Sequence, residues 1–134
     1  MVWRYYYRIV RSANTVIQNL GGNDAVPTTD DNKYAMGQAK AMRAHSYFYL
    51  TQYFQKEYNA SEAILPLYDS PINTNVAKAT AGEIYDLMER DLRDAINLLD
   101  GFNRSAKNEI NQDVARMLLG YVLGAKGGND TEVA

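Results

Sequence analysis

The sequence predicts an all-α fold: two antiparallel helical pairs, about four helices in all, with a long loop between the second and third. Apolar residues recur at three- and four-residue intervals in four separate stretches, the mark of helices with one buried side. Those stretches are bounded by glycine pairs or by Asn and Thr residues able to cap a helix, and no segment reads as a strand.

The first helix is expected over Val2 to Leu20, where Trp3, Tyr6, Ile9, Val10, Ala13, Val16, Ile17 and Leu20 share a side and Arg4, Arg8, Arg11, Thr15 and Gln18 fall opposite. It stops at Gly21-Gly22-Asn23. A polar connector with Pro27, Asp30 and Asp31 leads into a longer second helix, roughly Asn32 to Tyr58. The following stretch, "NASEAILPLYDSPINTNVAKA", has two prolines and no helical period, and reads as a long ordered loop. Thr80, with Glu83 three residues on, forms a capping box for a third helix reaching about Asp100 before Gly101. After "FNRSAKNE", Asn111 caps the fourth helix, Gly127-Gly128 end it, and Val114, Leu118, Tyr121, Val122 and Ala125 make its buried side.

At 134 residues, 46% of them hydrophobic and 22% charged, residues 1–134 have the content of a single helical domain with a real core. The net charge of −2 argues against a nucleic-acid partner, and the absence of cysteine excludes disulfides and thiolate chemistry. No apolar run approaches the roughly 18–20 residues that span a bilayer. The chain opens almost directly on helical pattern, as a piece of a longer protein would.

An enzyme is not expected, and neither catalytic nor metal residues nor cofactors are predicted. One histidine, His45, cannot form a metal cluster, and neither a nucleophile elbow nor a phosphate-cradling glycine loop is present. "GGND" occurs at Gly21–Asp24 and Gly127–Asp130, each time after a helix end, and has too few oxygen ligands for calcium. Arg4, Arg8 and Arg11 read as a solvated polar face. Asp86 with Arg90 and Glu89 with Arg93 are acid-before-base pairs at the i, i+4 spacing that supports an exposed helix face. Asn59-Ala60-Ser61, Asn103-Arg104-Ser105 and Asn129-Asp130-Thr131 match the glycosylation triplet, a pattern short enough to arise by chance.

Two charges fall where charge should not. At about 100° per residue, Ile84, Leu87, Met88, Leu92, Ala95, Leu98 and Leu99 cover one half of the third helix, and Asp91 is the charge inside that half. On the second helix, Arg43 shares a stripe with Ala39, Ser46, Leu50 and Phe54. An unpaired buried charge is too unfavourable to keep, so Arg43 and Asp91 are predicted to form a structural buried ion pair tying the two helical pairs together. Arginine's remaining donors can reach Asn14, at the edge of the first helix's apolar side. His45 is expected half-buried near Ala41, Phe48 and Gln52. Tyr47, Phe48, Tyr49, Tyr53 and Phe54 should fill core volume, leaving Tyr58 and Tyr68, in or beside the long loop, as the tyrosines open to another role.

In order and spacing, "YYRIVRSANTVIQNL", "GQAKAMRAHSYFYLTQYF", "ILPLYDSP", "TAGEIYDLMERDLRDAINLL" and "INQDVARMLLGYVLGAKG" resemble the SusD/RagB family over roughly residues 3 to 126. Met42, Gln38, Lys78, Gly120 and Gly124 depart from the residues usual there. The resemblance implies tetratricopeptide-like helical pairs from the early scaffold of a surface lipoprotein of the outer membrane. Such a protein binds glycans or other nutrients over a TonB-dependent transporter barrel, and its lipid anchor would lie outside this chain. It implies no ligand-binding residue here, because the family's glycan contacts come mainly from flanking segments. The alternative is a stand-alone helical-repeat module that binds protein.

Overall fold

The structure, a computed structural model, describes residues 2–55, 57–68, 77–102 and 109–127. The middle of the long loop, most of the polar loop after Phe102, the second GGND copy beyond Gly127, the triplets at Asn103 and Asn129 and the Trp3 side chain lie outside the described residues. Among those described, four helices run in the order α1 (Val2–Asn19), α2 (Asp30–Phe54), α3 (Ala81–Leu98) and α4 (Gln112–Lys126), and the fold is all-α but for a two-stranded sheet.

Each helix starts or stops for a local reason. After α1, Gly21 and Gly22 take positive φ, and the Gly22 N–H donates to Ile17 O at 2.9 Å while Gly21 N–H donates to Gln18 O. That closes the last turn in a left-handed cap that only glycine adopts without strain. Thr29 caps α2 by accepting from Asn32 N, so the helix begins two residues earlier than the sequence pattern suggests, with Asp30 and Asp31 in its first turn where the helix dipole favours them. It ends at Phe54, short of Tyr58, because Gln55 turns extended and its side chain donates to Asn59 O and Glu62 Oε1. Thr80 and Glu83 form the complete capping box of α3, and Asn111 caps α4, which Gly127 ends in the left-handed region.

The long loop contains two strands that sequence reading left out. β1 (Ala63–Pro66) pairs antiparallel with β2 (Lys78–Thr80), with an irregularity between Ala63 and Leu65. The bulge turns both Ile64 and Leu65 inward, so the alternation that marks a strand is missing. Pairing continues as Ala81 N–H donates to Glu62 O and Gly82 N–H to Ala60 O, which fixes the entry to α3.

α2 is the centre of the packing, with α1 on one side and α3 on the other, and α4 packs on α3. Tyr6 meets Tyr49 and Asn14 meets Arg43 on α1 and α2; Arg43 meets Asp91 and Gln52 meets Tyr85 on α2 and α3; Glu89 meets Lys126 and Ile96 meets Gln112 on α3 and α4. The numbers rise on one helix as they fall on the next, so neighbours are antiparallel. Helix α2 therefore buries residues on more than one side, among them Met36, Ala39, Ala41, Ala44, Tyr47 and Leu50, and lacks the single apolar stripe of its neighbours. Small residues permit the close approach: a Cβ on Gly37 would stand 2.8 Å from Leu99 Cγ. Gln38 docks the start of α4 by accepting from Ile110 N at 2.8 Å and donating to Ile110 O.

Three of the five aromatics expected to fill core volume do not. Tyr47 is fully buried and Phe48 half-buried, but Tyr49, Tyr53 and Phe54 are exposed, as is Tyr121 on α4. Tyr49, Tyr53 and Phe54 stay exposed where α1, α3 and β1 leave α2 uncovered, and on α4 the buried side is Ala115, Leu118, Val122 and Leu123.

Candidate functional site

The most elaborate chemistry in the molecule is a buried polar node between α1, α2 and α3. Arg43 Nε donates to Asp91 Oδ2 and its Nη2 to Asp91 Oδ1, each at 2.7 Å, a bidentate fork with both residues 1% exposed. Arg43 Nη1 reaches Asn14 Oδ1 at 3.0 Å and Nη2 reaches Asn23 Oδ1 at 2.8 Å. Asn14 in turn donates from Nδ2 to Tyr68 O. One guanidinium thus links α1, the turn after it, α2 and α3. Burial raises the Asp91 carboxyl above its usual range, against the pull of the two Arg43 hydrogen bonds and the Arg43, Lys40 and Arg90 charges.

Sequence reading missed Lys40. It is buried one turn before Arg43, with Nζ 2.7 Å from Asp94 Oδ2 and 2.8 Å from Asn23 O. Its stem crosses the core while its head reaches a carboxylate 43% exposed, the snorkelling geometry of a long cation. The signal was present as matched spacing: Lys40 and Arg43 are three apart on α2, Asp91 and Asp94 three apart on α3, and antiparallel packing sets the two rows against each other. Arg43 is therefore not the lone charge on the buried sides of α2. On α3, Glu89 reaches across to Lys126 Nζ at 2.9 Å.

A second polar cluster holds the chain leaving β1. Tyr7 donates to Pro66 O at 2.6 Å, Tyr68 N–H donates to Tyr47 Oη at 2.7 Å, and the Tyr7 ring stands edge-on to both Tyr47 and Tyr68. Burial, with the neighbouring Tyr47 and Tyr68 phenols, pushes the Tyr7 phenol far above its ordinary range, so it stays a donor. Tyr68 is thereby bound into the scaffold, and Tyr58 packs edge-on against Tyr85. His45 is half-buried against the Tyr49 ring, its pKa lowered by burial.

Arg43, Lys40, Asn14 and Asn23 are consumed in internal bonds. Among the described residues no group of three or more His, Cys, Asp or Glu side chains could hold a metal, and no buried side-chain nitrogen or oxygen lacks a hydrogen-bond partner. The node suits structural locking, because its buried polar side chains are bonded to one another within the protein.

The same helices in the same order recur in known proteins. Residues 1–116 match the SusD-like family described as starch-binding and associating with the outer membrane. The chain belongs to the SusD-like family. A SusD-like carbohydrate-binding protein from Bacteroides vulgatus superposes with a TM-score of 0.82 at 22% identity, over 95% of this chain and 28% of that one. A sugar-binding protein from the same organism gives 0.79 at 28% identity, over 94% and 29%. A laminarin-binding SusD-like protein gives 0.77 at 25% identity, over 98% and 27%. The chain thus spans less than a third of the length of these three proteins. No curated protein matches. The family's outer-membrane association comes with its description, and no helix among the described residues is long and apolar enough to cross a membrane.

Proposed function

We propose that this chain is the helical scaffold of a larger, non-catalytic SusD-like protein that captures glycan at the outer-membrane surface and hands it to a TonB-dependent transporter. The observation that carries the reading is the match of residues 1–116 to a family described as starch-binding and associating with the outer membrane. The laminarin-binding relative at 25% identity supports glycan as the ligand class. The closed polar node supports a scaffold role for this segment: its charges are spent holding helices together, with no bond made or broken in a substrate.

Calorimetric titration of the larger protein and of the 134-residue chain with maltohexaose and laminarihexaose tests it. Binding by the larger protein without release of new reducing ends is expected, together with its retention by the transporter in a detergent pull-down. Hydrolysis of either sugar, or binding of neither, overturns the capture reading. Equal binding by the 134-residue chain overturns its assignment as scaffold.

A further inference from the structure

Two surface segments far apart in sequence are joined by one buried chain of hydrogen bonds. At one end, the backbone leaving the β1–β2 ladder crosses α1 and α2 as a strap held by side chains. Pro66 O accepts from Tyr7 Oη at 2.6 Å, Tyr68 N–H donates to Tyr47 Oη at 2.7 Å, and Tyr68 O accepts from Asn14 Nδ2 at 3.0 Å. At the other end, the turn after α1 rests on α2, where Asn23 Oδ1 accepts from Arg43 Nη2 and Asn23 O from Lys40 Nζ, each at 2.8 Å. Strap and turn both reach solvent: Pro66, Leu67, Tyr68 and Asn23 are half-buried and Asp24 is exposed. Between them lie Asn14, 2% exposed, and Arg43, 1% exposed.

Asn14 is the joint of this chain. Its Oδ1 accepts from Arg43 Nη1 at 3.0 Å while its Nδ2 holds the strap, so both ends of one planar amide are committed. Arg43 is gripped by both oxygens of Asp91 and donates also to Asn14 and Asn23. In a site this dry the bonds strengthen one another, and an unmade one is expensive. Lifting either the strap or the turn admits water to the guanidinium, after which the remaining bonds exchange for solvent with little loss. Opening at one end therefore makes opening at the other easier. The effect is mutual, because a coupling free energy between two sites has the same size in both directions.

We propose that Asn14 and Arg43 form a relay in which seating of the strap, residues 66–68, and seating of the turn, residues 21–24, are one coupled equilibrium, so that a partner drawing on either segment loosens the other. The relay is independent of the glycan-capture reading and stands or falls apart from it. Native-state hydrogen exchange of the protein, read at single amides by NMR, tests it. Asn23→Ala removes the acceptor for Arg43 Nη2 in the turn and should speed exchange of the Tyr68 N–H at least about threefold. Tyr7→Phe removes the hydroxyl bonded to Pro66 O and should speed exchange of the Gly22 N–H, which donates to Ile17 O, by a similar factor. Unconnected sites leave each other unchanged within about twofold. The Ala115 N–H at the start of α4, bonded to Asn111 O, should stay within that margin in both variants. With Asn14→Ala in the background, both cross-effects should shrink to the same margin. A Tyr68 amide unmoved by Asn23→Ala, or a Gly22 amide unmoved by Tyr7→Phe, overturns the relay, and both substitutions are at half-buried positions that leave the helix core intact. Equal acceleration at Ala115 also overturns it, because the variants then weaken the whole fold. Cross-effects that persist without the Asn14 amide overturn it too, since the coupling then runs by another route.

Discussion

Replacing Arg43 by methionine separates the worth of the buried node from that of its individual charges. Methionine keeps most of the stem's volume and removes the donors to Asp91 Oδ1 and Oδ2, Asn14 Oδ1 and Asn23 Oδ1. Asp91 is then left as a carboxylate 1% exposed, so a loss of about 3–5 kcal/mol is expected at pH 7. Adding Asp91→Leu removes the second charge. Asn14, buried, still lacks its guanidinium donor at about 1–3 kcal/mol, whereas Asn23, half-buried, can turn to water. The double variant should therefore recover about 2 kcal/mol over Arg43→Met, more than tenfold in the folding equilibrium. Urea titration with an unchanged slope measures both. The Arg43→Met deficit should also shrink as pH falls. Its folded Asp91 pKa, raised by burial with no guanidinium opposing, lies above the unfolded value, so the folded state takes up the proton first and the lost stability returns toward pH 4. A single-variant loss below about 1 kcal/mol, or a double variant no better than the single, refutes the reasoning.

Gly37→Ala should destabilise by about 1–3 kcal/mol in the same titration, since its Cβ would meet Leu99 Cγ at 2.8 Å and Leu98 Cβ at 3.2 Å. Gly120→Ala should stabilise by about 0.5–1 kcal/mol, because it sits inside α4 with nothing described within 4 Å of the added methyl; a loss there would contradict the packing of α4. Thr80→Ala removes the side chain that accepts from Glu83 N and should lower the melting midpoint by the equivalent of about 1 kcal/mol. Burial lowers the His45 pKa, so the unfolded state binds the proton more tightly and stability falls as pH drops below the unfolded value near 6.5. His45→Gln should flatten that part of the profile, and an unaltered slope between pH 6.5 and 5 would show that other groups set it.

Helix existence was legible, and so were the ends with a local cap signal, whereas α2 runs Asp30–Phe54 where the pattern suggested Asn32 to Tyr58. The glycine pair after α1, the Thr80–Glu83 box and the Asn111 cap act within one turn of chain, and each stands where its residue pattern places it. Two features escaped for a shared reason. The β1–β2 ladder joins residues across the long loop, and a bulge erases the alternation that would have announced it. Lys40 was passed over because nothing within α2 tells a buried lysine from an exposed one; the Asp94 that decides it is 54 positions away.

By itself the sequence determined the all-α class, the helix caps, the exclusion of thiolate chemistry and the pattern by which the chain is recognised as SusD-like. It also marked Arg43 and Asp91 as charges that could not remain alone on apolar sides, since the penalty for an unpaired buried charge is general. Only the tertiary structure added Asn23 and Lys40 to that node, beside the Asp91 and Asn14 that the sequence offered. Only it decided which aromatics are core and which stand outside. Tyr47 and Tyr49 are two residues apart on one helix, yet the first is buried and the second 43% exposed. Periodicity assigns a residue to a side of its helix, whereas burial depends on whether another helix lies against that side.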